Sequence, residues 1–67
     1  MAAKYEDHYK HWDRRHGWTM REAMEKKMKV EDGYGIGKPT SQWSHVEILP
    51  DERRVDGFKV RVFHKTA

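Results

Sequence analysis

Cysteine is absent from this sequence, and so is any long apolar segment. Without cysteine the chain has neither a disulfide framework nor a thiolate metal site, which fits a reducing, intracellular compartment. No apolar run approaches the roughly 18 residues that a membrane-spanning helix requires. Residues 1–7 lack the hydrophobic stretch of a secretory signal. We therefore expect a soluble, cytoplasmic protein without a membrane partner.

Motifs for catalysis and for cofactor binding are also missing. His8 and His11 are three residues apart, but no four-ligand metal spacing accompanies them. The glycine-rich residues 33–38 lack the Walker spacing and its Lys-Ser/Thr ending, so they do not predict a nucleotide site. No histidine is paired by sequence with a nucleophile that it could activate. These absences favour a protein that is not an enzyme and holds neither a metal nor a cofactor.

The chain is short and highly charged. Its 67 residues are 37% charged and 36% hydrophobic, with a formal net charge of +3. A chain of this length supports one small core, so we expect a single domain over residues 1–67. Three tryptophans, three tyrosines and two phenylalanines argue that this core packs despite the high polarity of the chain.

A first helix is predicted over residues 4–15. Tyr5, Tyr9 and Trp12 recur at helical spacing and form one aromatic stripe. Gly17 follows the segment, as glycine commonly does just past the end of a helix. We interpret the aromatic stripe as part of the core rather than as a base-stacking surface.

A second helix is predicted over residues 19–29. Residues 19–22 read Thr-Met-Arg-Glu, which matches the capping box that starts many helices. The apolar stripe of this helix includes Met24. We expect Met24 to meet Trp12 and Val60 in the core, because each of the three lies on an apolar stripe of its own segment.

The C-terminal third of the chain predicts a β-hairpin over residues 44–65. Residues 58–62 alternate apolar and basic side chains, which is typical of a strand with one buried face. Asp56 and Gly57 mark a tight two-residue turn between the strands. A longer loop is the alternative, and its register pairs Ile48 with Val60 and Val46 with Val62.

The predicted fold class is α+β, with two N-terminal helices packed on a C-terminal antiparallel β-hairpin. A glycine-rich loop over residues 30–41 joins the two parts. Residues 42–50 also fit a helical stripe that ends at Pro50. That helix would give the layout of a winged helix-turn-helix, which stays open as an alternative by analogy of element order alone.

The predicted hairpin is the most cationic part of the chain. Between residues 53 and 65 the one acidic residue is Asp56. We expect the basic side chains here to bind the phosphates of nucleic acid, in a small DNA-binding, RNA-binding or regulatory protein. The predicted contact residues are Arg53, Arg54, Lys59, Arg61 and Lys65, with Lys38 from the preceding loop.

A protein-interaction module is the alternative function. Such an inhibitor or adaptor would dock its aromatic and methionine surface onto an acidic protein partner, since methionine repacks easily. One helix face of so small a domain can also stay uncovered by its own chain, so a homodimer is open as well. The methionines of this surface are Met20, Met24 and Met28.

Overall fold

A computed structural model describes residues 4–65 and shows a three-stranded antiparallel sheet with a helix on one face. In chain order the elements are β1 (Tyr5–His8), α1 (Met20–Gly33), β2 (Trp43–Pro50) and β3 (Phe58–His64). The strand order is β1-β3-β2, so the last strand lies in the middle. The fold is α+β in the broad sense. The expected two helices on a hairpin, and the winged-helix alternative, are both wrong, because residues 4–65 contain this one helix only.

The predicted first helix is a strand and a loop instead. β1 pairs antiparallel with β3, with Tyr5 opposite Phe63 and Asp7 opposite Arg61. Tyrosine, tryptophan, histidine and aspartate are all weak helix formers, so local propensity does little to hold residues 4–15 in a helix. Residues 5–8 pair with the edge of β3 that β2 leaves free, and the backbone hydrogen bonds of that edge are thereby formed. This pairing overrides the helical spacing of the aromatic residues.

The predicted second helix is confirmed and is longer than expected. Thr19 is its N-cap: the Thr19 hydroxyl accepts from the Glu22 N–H at 3.1 Å, and the Glu22 carboxylate accepts from the Thr19 N–H at 3.0 Å. The helix continues to Gly33, four residues into the segment predicted as a loop, and the Tyr34 N–H bonds to the Val30 carbonyl at 2.9 Å. No helix of the described range is long and apolar enough to cross a membrane.

The hairpin of β2 and β3 adopts the longer-loop register. Ile48 lies opposite Val60 and Val46 opposite Val62, so residues 42–50 are a strand and not a helix. The tight Asp56-Gly57 turn is wrong, because residues 51–57 form the connection between the strands. Asp56 and Gly57 instead contact Gly17. This contact accounts for the turn-like dipeptide next to β3.

The core lies between α1 and the sheet. It is made of Trp18, Ala23, Val30, Val46, Val60 and Val62, with the last two among its fully buried side chains. The expected meeting of Trp12, Met24 and Val60 is wrong. Trp12 is 73% exposed and Met24 is 56% exposed. The buried stripe of α1 is centred on Ala23 and Val30, so the methionines fall on its solvent side.

Residues 9–17 leave the edge of the sheet and return to it, and we call them the 9–17 loop. His8 still pairs with Val60, but Phe58 is hydrogen-bonded to Trp18 in both directions, at 2.8 and 3.0 Å. The strand pairing of β1 is thus interrupted and resumed after the loop. The loop lies beside the 51–57 connection, to which Arg15 and Gly17 are hydrogen-bonded.

Two glycines close the neck of the 9–17 loop. The Gly17 N–H donates to the Asp56 carbonyl at 2.8 Å. A Cβ atom added at Gly57 would lie 2.6 Å from the Gly17 Cα, and Gly57 has a φ of +92°. Neither backbone leaves room for a side chain, so glycine is required at both positions.

Candidate functional site

The face of the sheet opposite α1 carries the basic strand residues predicted to bind phosphate, and we call it the open face. Lys59 on β3 is 3% exposed. Its ammonium lies 2.9 Å from an Asp7 carboxylate oxygen and 2.7 Å from a Glu52 carboxylate oxygen, and it donates to the Tyr9 hydroxyl at 3.3 Å. Lys59 is therefore enclosed by two carboxylates that the same chain supplies.

Arg61 is also engaged on the open face. Its Nε and Nη2 donate to the two oxygens of Asp7 at 2.6 and 2.9 Å, which is the bidentate geometry that guanidinium favours. The guanidinium carbon lies 3.9 Å from the centre of the Tyr5 ring, within cation–π range. Arg61 thus has an anion on one side and an aromatic ring on the other.

These contacts shift the ionisation of the groups involved. The Arg61 hydrogen bond, assisted by Lys59, lowers the pKa of Asp7 to about 2. Hydrogen bonds from Lys59 and the Tyr9 hydroxyl lower the pKa of Glu52 to about 2. Burial works to lower the pKa of Lys59, but its hydrogen bonds to Glu52, Asp7 and Tyr9 raise it above the usual value. All four charges are therefore fixed at neutral pH and compensate one another.

Arg53 and Arg54 are adjacent in sequence but differ in environment. The Arg54 side chain is 10% exposed and donates to the backbone carbonyls of Lys10 and Asp13, the second at 3.1 Å. It also lies 3.4 Å from the buried carboxylate of Asp51. Arg53 is exposed, with its guanidinium 4.5 Å from the Tyr9 ring centre. Arg54 therefore holds the 9–17 loop in place, while Arg53 faces solvent.

Lys38 and Lys65 complete the predicted set and are both exposed. Lys38 lies in the connection between α1 and β2, and Lys65 follows the end of β3. The six predicted residues therefore do not share one environment. Three of them have carboxylate partners in the chain, namely Arg54, Lys59 and Arg61, and three are exposed cations, namely Arg53, Lys38 and Lys65.

The 9–17 loop carries a second group of aromatic and basic residues. Trp12 is the most exposed large apolar side chain of residues 4–65, and the Lys10 ammonium lies 5.6 Å from its ring centre. Arg14 and Arg15 are exposed, and neither side chain has a hydrogen bond or an ion pair within the described range. The Asp13 carboxylate accepts the backbone N–H groups of Arg15 and His16, both at 2.9 Å.

A groove runs between the 9–17 loop and α1. It encloses about 280 Å³, near the lower end of the range for small-molecule sites. Trp18 is buried at this groove, and the Lys26 ammonium lies 5.7 Å from its ring centre. The lining residues on the loop side are His8, Tyr9, His11, Trp12 and Trp18, and those on the helix are Glu22, Glu25, Lys26 and Lys29.

His8 borders the groove, and its surroundings disfavour the charged form of its ring. Burial, with the nearby Lys26 charge, lowers the pKa of His8. Its Nε2 lies 3.1 Å from the Tyr34 hydroxyl, so the ring is also fixed in orientation. Within residues 4–65 no group of three or more His, Asp or Glu side chains is placed to hold a metal ion.

Comparison with models of protein families, with curated proteins and with solved structures finds no match to this chain. Its function therefore has to be inferred from its own residues. Sequence patterns missed the exposed position of Trp12, although one signal was present. From residue 10 to residue 16 Trp12 is the one apolar side chain, surrounded by Lys, His, Asp and Arg, and such a segment has no second apolar residue with which to enter a core.

Proposed function

We propose that this chain is a small non-enzymatic protein that binds single-stranded nucleic acid through the 9–17 loop. Trp12 would stack on a base, while Arg14 and Arg15 contact the flanking phosphates. The observation that carries the proposal is the indole of Trp12, 73% exposed on a loop whose two ends are anchored. Aromatic rings beside free cations are the usual components of single-strand binding.

The anchoring of the loop supports a binding role for Trp12. The Val55 N–H donates to the Arg15 carbonyl at 2.9 Å. The Gly17 N–H also donates to the 51–57 connection, and the Arg54 side chain donates from that connection to the loop. A loop already held in one conformation loses little further entropy when it binds. An exposed indole adds little to the stability of the monomer, so its presence on a fixed loop fits a partner that covers it.

The groove supplies further contacts for a stacked base. Lys26 and Lys29 on α1 line it, and their ammonium groups can approach phosphate oxygens. Glu22 and Glu25 line the same groove and offer acceptors for the amino groups of a base. The exposed cations Arg53, Lys38 and Lys65 would add weaker, sequence-independent attraction, since long-range charge steers an anionic chain toward the protein.

A titration with labelled single-stranded oligonucleotides at several salt concentrations tests the proposal. Trp12→Ala should lower affinity by about 5-fold to about 150-fold, because one base–aromatic stack contributes about 1–3 kcal/mol. Arg14→Gln with Arg15→Gln should reduce the salt slope by about two, one unit for each lost phosphate contact.

Arg21→Gln with Asp32→Asn is a control that leaves net charge unchanged, since it removes one exposed charge of each sign from α1 outside the groove. Arg21→Gln with Lys38→Gln removes two exposed cations outside the loop and should leave the stacking contribution of Trp12 intact. Failure of the unaltered protein to bind any oligonucleotide at about 50 mM salt would refute the proposal, because phosphate attraction is strongest in dilute salt.

The exposed methionines of α1 favour a second function, docking onto a protein partner. Met20, Met24 and Met28 repeat every four residues and are all exposed. Binding through such an apolar strip would survive nuclease treatment and high salt, unlike binding to phosphate. Met24→Gln should then abolish capture of the partner from cell extract, whereas Trp12→Ala should leave it unchanged.

A further inference from the structure

The outer edge of β2 has backbone groups without a partner. The backbone of Phe58 bonds to Trp18, and the His64 N–H donates to the Lys4 carbonyl at 2.9 Å. The backbone N–H and C=O groups of these two β3 residues therefore point to the β1 side. Successive residues of an antiparallel strand direct their backbone groups to alternate sides, so the N–H and C=O groups of Val60 and Val62 also point to the β1 side. Their neighbours on β2, Ile48 and Val46, therefore direct their N–H and C=O groups outward.

This edge is blocked at its ends but open in its middle. Pro50 lacks an N–H group at one end, and a register shift between Trp43 and His45 disrupts the other. No backbone hydrogen bond from another described segment reaches the outward side of Val46 or Ile48. Proteins usually cover or charge such an edge, because it is a template for another strand.

We propose that the edge of β2 pairs with β2 of a second copy of this chain, antiparallel, to form a six-stranded sheet across a two-fold axis. The two Val46 residues would lie opposite each other and exchange two backbone hydrogen bonds. His45 of each copy would then lie opposite Glu47 of the other. The surface is self-complementary, as a two-fold interface requires.

The register follows from charge complementarity. A shift of one residue would set Val46 opposite Glu47 of the second copy, and Glu47 directs its backbone N–H and C=O groups inward to β3, so that pair cannot bond. A shift of two residues would place Glu47 opposite Glu47 of the second copy, which is unfavourable for like charges in a cross-strand pair. The proposed register instead gives two pairs of imidazole and carboxylate. In one copy the same two groups are half exposed and lie 3.3 Å from each other, so the dimer would exchange the contact within each strand for two contacts across the new edge.

Sedimentation velocity over a concentration series up to about 1 mM tests for the dimer, which should be weak because only one short strand edge is buried. Glu47→Gln should weaken association about fivefold, since it alters both cross-strand pairs. Glu25→Gln makes the same change on the exposed surface of α1 and should have no effect. Circular dichroism confirms that each variant keeps its fold.

Nuclear Overhauser contacts in a mixture of labelled and unlabelled protein give the register directly. The proposed pairing brings the Hα atoms of His45 and of Glu47 of the second copy together, because they form a pair without hydrogen bonds. That contact, with the weakening by Glu47→Gln, would support the proposal. A protein that stays monomeric at about 1 mM, a dimer without this contact, or a dimer that Glu47→Gln strengthens would overturn it.

Discussion

The open face of the sheet and the 9–17 loop are built from the same kinds of residue, tyrosine or tryptophan beside lysine and arginine, and they differ in what surrounds the charges. On the open face Asp7 and Glu52 hold Lys59 and Arg61 at 2.6–2.9 Å. In the loop Asp13 instead caps backbone N–H groups and leaves Arg14 and Arg15 without a carboxylate. One region therefore stabilises the fold, and the other can attract an anion.

The difference shows that a basic strand pattern does not by itself indicate a binding surface. Pairing of β1 with β3 brings Asp7 opposite Arg61 across 54 residues of sequence. A phosphate would have to displace these carboxylates before it could bind. The field of a site depends on the sum of its neighbours, and at the open face that sum is close to zero.

Removing the carboxylate of the open face should have the largest effect on stability. Asp7→Asn removes the largely buried carboxylate that Lys59 and Arg61 share. The loss should lower the free energy of unfolding by about 3 kcal/mol. Urea denaturation followed by circular dichroism measures the change. Asp32→Asn alters an exposed carboxylate on α1 and should be neutral. Equal stabilities of the two variants would show that the open-face pairs do not support the fold.

Acid should weaken the same pairs without mutation. The pKa values of Asp7 and Glu52 are lowered in the folded state, so their contribution to stability is complete above about pH 5 and is lost as the pH falls toward about 2. Thermal melts between these pH values should show a falling midpoint. The dependence should be weaker in the Asp7→Asn protein, and an identical slope in both would contradict the assignment.

The two neighbouring arginines provide a matched pair for testing the attachment of the loop. Arg54→Gln removes two hydrogen bonds to loop carbonyls and the ion pair with buried Asp51, which should cost about 2 kcal/mol. Arg53→Gln removes a cation–π contact at the surface and should cost about 0.5 kcal/mol. Chemical denaturation separates the two. Amide exchange of residues 10–13 should speed up in the first variant only.

Trp12→Ala should have the smallest effect on stability. The indole is exposed, so its removal should change the free energy of unfolding by less than about 0.5 kcal/mol, as for most surface substitutions. The variant also carries the binding test described above, and its folded state can be verified from the remaining tryptophans. A loss above about 2 kcal/mol would mean that Trp12 packs against the body of the protein.

Local signals predicted the elements that depend on neighbouring residues. The capping box of Thr19 and Glu22 located the start of α1, because both bonds lie within one turn. The alternation of β3 identified its buried valines, and the longer-loop register was recognised as one of two alternatives. These features follow from spacing along the chain and from the pattern of apolar side chains.

Features that depend on distant pairing were not predicted. Tyr5, Tyr9 and Trp12 fit a helical stripe, and nothing local shows that β3 will pair with residues 5–8 instead. The Asp56-Gly57 signal resembles a hairpin turn, but its glycine serves the close contact with Gly17. The neutralisation of Lys59 likewise depends on Asp7 and Glu52, which come from two other segments.

The neck of the 9–17 loop is held largely through main-chain atoms of the loop, with side-chain bonds from Tyr9 to Glu52 and from His16 to Asp56 at its two ends. Arg54 bonds to the carbonyls of Lys10 and Asp13, Val55 to that of Arg15, and Asp56 to the Gly17 N–H. The side chains of Trp12, Arg14 and Arg15 make no hydrogen bond or ion pair within residues 4–65 and are therefore not constrained by folding. The body of the protein can serve as a scaffold on which loop sequences are exchanged and new specificities evolve, much as the framework of an antibody carries different binding loops.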